Sequence, residues 1–222
     1  LLDSMSVSGY EIPLQKKVIE EMTPYCDKIM TDYTGNVTSV LNPDAPFKVM
    51  LSAHIDEIGL IVTHIQGDGM LKVGRVGGIR PHVYPGHQVV VYGYNQTVFG
   101  TVVNNSDMGK GDLKDSSLTI DIGAKDKDDA RKYVQEGDPI HLHTYHAEML
   151  NGYLSARGVD DRGCAFIILE ALKRAKERGC KIGVYATTSV GEETTMRGAH
   201  WASSRIKPDV AIVTTMSLLN DV

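Results

Sequence analysis

Between residues 11 and 22 the apolar positions fall at Ile12, Leu14, Val18, Ile19 and Met22 with charge between them. That is the three-to-four spacing of a helix with one buried face. Ser8-Gly9 just upstream supplies a start signal. The period then shortens. Runs of β type at Lys28–Thr31 and Val37–Leu41 flank Tyr33-Thr34-Gly35-Asn36, whose glycine and asparagine suit a tight turn, so a hairpin is expected. Residues 48–53 are nearly continuous apolar up to His54, as in a buried central strand. From about 67 to 152 the texture changes: glycine-rich turns (Gly67-Asp68-Gly69, Gly77-Gly78, Pro85-Gly86) bound short β-rich runs such as Gln88–Tyr92 and Thr97–Val103, with no long helix. Beyond it, 162–178 is helical and apolar nearly all round in its first half, which predicts deep burial. Strands at 182–187 and 209–213 flank a helix near 197–204. The chain therefore reads as α/β, then a β insert, then α/β again.

With 222 residues, 42% of them hydrophobic, the chain is large enough to bury a core without staples. No apolar run approaches the roughly 18 residues of a membrane span, so no membrane partner is expected. The net charge of 23 − 28 = −5, with Lys and Arg scattered, provides no basic stripe for nucleic acid. Three cysteines, Cys26, Cys164 and Cys180, form an odd set without C-x-x-C spacing, which fits reduced thiols. The opening Leu1-Leu2-Asp3 has no basic-then-apolar segment, and a cytoplasmic protein is the expectation.

Three places carry candidate chemistry. His54 and Asp56 follow the buried run and share a face, because side chains alternate along a strand. A metal-binding histidine needs its second ring nitrogen held, and a carboxylate two residues on can hold it, although an ordinary strand-end histidine has the same pattern. Asp160-Asp161 stand before the most apolar helix, where they could cap its N-terminus or bridge two cations. Glu192-Glu193 follow a strand whose carboxyl end is where α/β enzymes place their sites. They read either as a solvated acidic loop or as one metal ligand beside one proton acceptor.

Val7-Ser8-Gly9-Tyr10-Glu11, A-H-I-D-E-I-G at 53–59, V-D-D-R-G-C-A at 159–165 and G-E-E-T-T-M-R-G-A at 191–199 together resemble, in this order, the glutamyl and tetrahedral aminopeptidases, a family of dinuclear-metal exopeptidases. Val76-Gly77-Gly78 and Asp121-Ile122-Gly123-Ala124 look like landmarks of the same family. The resemblance implies an α/β fold with a central mixed β-sheet flanked by helices, as in zinc peptidases, and an inserted small β-barrel of PDZ-like type. It divides the chain into a discontinuous metallopeptidase domain at 1–65 and 150–222 and a β-rich oligomerisation domain at 66–149. His54, Asp160 and Glu193 would bind metal, with Asp160 bridging and its bond to Asp161 in the cis form. Asp56 would orient His54, and Glu192 would be the general base. Two divalent ions per subunit, zinc, cobalt or manganese, would activate a bridging water against the carbonyl next to a free peptide N-terminus. Peptide substrates and a homo-oligomer paired through the β insert follow from the same resemblance.

The family pattern also requires a carboxylate ending the strand that starts at Asp209 and a histidine near the C-terminus. In register the carboxylate falls on Thr215, and no histidine follows His200. The stretch 214–222 resembles the family's sequence beyond its last histidine, so a segment after Val213 is expected to be omitted, which an intact mass above that of 222 residues would support. A contiguous chain would instead be a non-catalytic assembly or binding protein on a peptidase scaffold, holding one ion weakly.

Other signals carry less. In the histidine tract 141–146, His141 and His143 share a strand face and are expected at a surface or interface. Gly109-Lys110-Gly111-Asp112 lacks phosphate-loop spacing, and Ser189 lacks a nucleophile elbow. Adjacent Glu192 and Glu193 do not form the facing pair of a glycosidase. Lys125–Asp129 reads as a solvated loop or helix start.

Overall fold

The computed structural model describes residues 1–94, 96–103 and 113–216. The Gly109-Lys110-Gly111-Asp112 segment, and 217–222 of the C-terminal stretch, lie outside them. The chain forms two compact units, 1–57 with 145–222, and 58–144.

The first unit is built on a mixed sheet of five strands in the order β1-β2-β12-β3-β13. Strands β1 (Lys28–Thr31) and β2 (Val37–Leu41) form the antiparallel hairpin read from the sequence. Strand β12 (Gly183–Ser189) pairs antiparallel with β2 and parallel with β3 (Lys48–His54), and β13 (Val210–Val213) runs parallel to β3 at the edge. Alternation sorts the side chains onto two faces. Val37, Leu41, Ala53, Val184 and Ala186 meet α1 (Ile12–Met22) through Leu14, Val18 and Met22, and α3 (Val159–Glu177) through Ala165, Ile168, Leu169 and Leu172. Val40, Met50 and Tyr185 face Ala202 and Ile206 of α5 (Arg197–Ile206). Each Val, Leu, Ile or Met among them, fully buried, contributes about 1.5–3 kcal/mol.

The deep burial expected for α3 holds for one stripe only. Phe166 and Ile167 stand 57% and 56% exposed, because they project to the flanks of the stripe that meets the sheet. Gly179, in the left-handed region at φ +65°, ends this helix, its N–H donating to the Lys176 carbonyl.

The second unit is a closed six-stranded barrel, β4-β5-β8-β7-β6-β9. Its strands are β4 (Gly59–Ile65), β5 (Leu71–Val76), β6 (Gln88–Tyr92), β7 (Thr97–Val103), β8 (Thr119–Asp121) and β9 (Pro139–Leu142). Leu60, Val62, Leu71, Val73, Val89, Val91, Val102, Ile120 and Ile140 fill its interior at alternate positions. This unit begins at Ile58 rather than at 66, since β4 pairs with β5 and with β9 some 80 residues later, as in Leu60↔Ile140. It ends at Thr144 rather than at 149, and the hairpin β10 (Ala147–Glu148) and β11 (Leu154–Ser155) belongs to the first unit. Helix α2 (Lys127–Ala130) occupies the charged run at 125–129, with Asp126 accepting the N–H of Asp129 as its cap. His141, expected at a surface or interface, is buried within this unit, with Nε2 2.8 Å from the Tyr92 hydroxyl. Among the described residues no helix is long and apolar enough to cross a membrane.

Candidate metal centre

The parallel pairing of β3 with β12 sets His54 beside Ser189, so both strands end level. Beyond Ser189 the chain turns through Val190 and Gly191 into the short helix α4 (Glu192–Thr195). His54 is buried, with its Nε2 3.3 Å from Asp160 Oδ1 and 3.8 Å from Glu192 Oε2. The ligand atoms of His54, Glu192 and Glu193 lie within 4.8 Å of one another. Four side chains from three distant segments therefore converge.

The second nitrogen of His54 meets the backbone of Asp56 before its carboxylate. Nδ1–H donates to the Asp56 carbonyl at 3.1 Å, and the Asp56 carboxylate stands 3.4 Å away. Ile55 points the other way into the core, as alternation requires. Asp56 also has a task that sequence reading missed: its two carboxylate oxygens accept the backbone N–H groups of Glu192 and Glu193, each at 3.1 Å. The missed signal was a helix start with no local cap, whose free N–H groups need acceptors from elsewhere.

Asp160 and Asp161 have backbone angles outside the helical range, the peptide between them is cis, and no side chain caps the start of α3. The capping reading of this pair fails, because Asp160, 60% exposed, turns to His54 instead.

Burial opposes charge on the His54 ring, but the Asp56 carboxylate, with Glu192 and Asp161, outweighs it and lifts the ring's pKa to about 9. Burial pushes the Glu193 carboxyl up to about 7, with Asp56, Asp160 and Glu192 adding repulsion and His54 opposing it. Burial also raises Asp161. A group of acids so short of positive charge suits a cation. An imidazole nitrogen with carboxylate oxygens matches zinc, cobalt or manganese better than a soft thiophilic ion.

Two further acids support the loops. Glu11 accepts the Gly191 N–H at 3.1 Å and the Gly9 N–H at 2.9 Å. Glu57, beside Asp56, receives two guanidiniums, that of buried Arg162 at 2.7 Å and that of Arg157, which is less deeply buried. Thr214 donates its N–H to Ser52 at 2.9 Å next to the Val213↔Ser52 pair, which puts Thr215 two positions further, level with His54.

Gly198 explains part of the 191–199 motif. A Cβ there would fall 2.1 Å from the Val190 carbonyl oxygen and 2.8 Å from Asn36 Oδ1. Gly198→Ala is expected to push Val190 away and cost about 1–3 kcal/mol by overpacking, read as a lowered midpoint in urea unfolding. An unchanged midpoint would show that the turn before Glu192 tolerates displacement.

Residues 35–222 match the family described as M42 glutamyl aminopeptidase. The chain is 30% identical over 227 residues to the lysyl aminopeptidase of Pyrococcus furiosus, covering 96% of this chain and 63% of that protein. It superposes on the crystal structure of the TET aminopeptidase of a marine sediment Thaumarchaeota archaeon with a TM-score of 0.92 at 30% identity, over 99% of this chain and 65% of that one. A further neighbour is the TET1 peptidase of Pyrococcus horikoshii, which can assemble into a tetrahedron or a large octahedral shell (TM-score 0.90, 28% identity, 100% of this chain and 69% of that one). The chain spans slightly less than two thirds of the length of the first two.

Proposed function

Because the chain belongs to the M42 glutamyl aminopeptidase family, we propose that it acts as a metal-dependent aminopeptidase, removing N-terminal residues from peptides. The observation that carries this reading is the convergence of His54, Asp160, Glu192 and Glu193 from three segments far apart in sequence. His54, Asp160 and Glu193 would hold two divalent cations, zinc, cobalt or manganese, with Asp160 shared. Such cations lower the pKa of water and polarise a carbonyl. Asp56 fixes the ring of His54 and, through the N–H groups of 192 and 193, the glutamate pair. Glu192 takes a proton from the attacking water and returns it to the departing amine nitrogen. The barrel unit, 58–144, would pair subunits, and the protein would work in the cytoplasm. Metal-loaded protein assayed on a panel of aminoacyl chromogenic substrates should release chromophore.

Thr215, level with His54 where the family pattern asks for a carboxylate, favours a second reading, a non-catalytic assembly protein on the same scaffold. Bound cations without hydrolysis of any substrate on the panel would select it.

Chelator-treated protein provides a separate check. His54, raised from 6.5 to about 9, adds stability that is full below 6.5 and lost as pH rises through about 9. Glu193, raised from 4.5 to about 7, adds stability that is full below 4.5 and lost through about 7. Both have the same sign, so the melting temperature of the metal-free form is expected to fall with rising pH across this window. Saturating cobalt should flatten the fall, because cation binding displaces both protons. Parallel profiles with and without cobalt would contradict a cation at these groups.

A further inference from the structure

We infer that Glu11 is a positioning residue for the Glu192–Glu193 pair, an inference that rests on the metal-centre reading. Three consecutive backbone N–H groups, at 191, 192 and 193, each meet a carboxylate oxygen supplied from elsewhere in the chain. Gly191 donates to Glu11 Oε1, Glu192 to Asp56 Oδ1 and Glu193 to Asp56 Oδ2, each at 3.1 Å. The acceptors come from 180, 136 and 137 residues away. Helix α4 has four residues, too few to hold a conformation through its own hydrogen bonds. Its placement therefore comes from the carboxylates that grip its first turn.

Glu11 is well fixed for this task. It is 7% exposed and sits at the start of α1, whose Leu14, Val18 and Met22 are anchored in the core. The same Oε1 accepts the Gly9 N–H at 2.9 Å, so one oxygen ties two loops together. Ser8 Oγ, three residues before Glu11, lies 3.0 Å from Thr194 Oγ1 and joins the same two segments a second time. Through these contacts the glutamate turn is referenced to the core packing of α1. Asp56 references it to the strand that carries His54.

The geometry asks for an acceptor at this point and not for a charge, since both donors are neutral backbone amides. A glutamine amide oxygen can take both hydrogen bonds, whereas alanine and methionine offer no oxygen. Cobalt titration of the full chain, followed by visible absorption, reads the effect without a substrate. Glu11→Gln is expected to bind cobalt within about threefold of wild type, and Glu11→Ala and Glu11→Met about 10–100-fold more weakly, the range for groups that orient metal ligands. Glu11→Met keeps the side-chain volume and serves where the alanine variant does not fold, a melting curve showing which variants do. Wild-type affinity in Glu11→Met, or a loss in Glu11→Gln equal to that in Glu11→Met, would overturn the inference while leaving the metal centre standing. Wild type that binds no cobalt would overturn the metal-centre reading and this inference with it.

Discussion

Glu192→Gln is expected to lower peptide hydrolysis by about 10²–10⁴-fold, the usual contribution of a positioned proton acceptor. It should leave cation binding in place. The carboxylate lies 3.8 Å from His54 Nε2, close enough to share the centre. Its backbone N–H is held by Asp56, so the amide side chain would occupy the same place without accepting the proton. Turnover of an aminoacyl chromogenic substrate and cobalt binding, measured on the same preparation, separate this role from ligation. Hydrolysis at the wild-type rate would remove Glu192 from the proton transfer, and lost cobalt binding would make it a ligand.

Glu57→Ala is expected to destabilise the first unit by about 3–5 kcal/mol, the cost of leaving buried charge unpaired. Glu57 is 2% exposed and receives both Arg157 and Arg162, the latter fully buried. Arg162 also donates to the Leu2 carbonyl at 2.9 Å, and Arg157 to that of Ser4 at 3.4 Å, so the N-terminal segment depends on the same cluster. Without the carboxylate two guanidiniums face each other in the interior. The damage should reach the metal centre, because Glu57 follows Asp56 directly and Arg162 lies two residues beyond Asp160. Urea unfolding of wild type and variant measures it. A change below about 1 kcal/mol, the range of exposed ion pairs, would mean that water reaches the cluster.

The elements with regular periodicity were legible in the sequence. Helix α1, the β1–β2 hairpin, β3 and the barrel strands β6 and β7 lie where the spacing of apolar residues placed them. The approach of Asp56 to His54 was legible for the same reason, as a two-residue period at a strand end. Long-range pairing was not. Nothing local in 59–65 shows that it pairs with Pro139–Leu142 and so belongs to the barrel. The exposure of Phe166 and Ile167 was equally hidden, since an apolar count does not say which stripe of α3 meets the sheet. The roles of Glu11, Glu57, Arg157 and Arg162 were hidden because their partners are either distant in sequence or backbone amides, and neither leaves a spacing to read.

Dialysis against cobalt followed by elemental analysis decides whether His54, Asp160 and Glu193 hold cations. Wild-type protein should retain cobalt after removal of free metal, and His54→Ala and Glu193→Ala should each retain far less. Protein that keeps no cobalt, or variants that keep as much as wild type, would contradict a metal centre at the ends of β3 and β12.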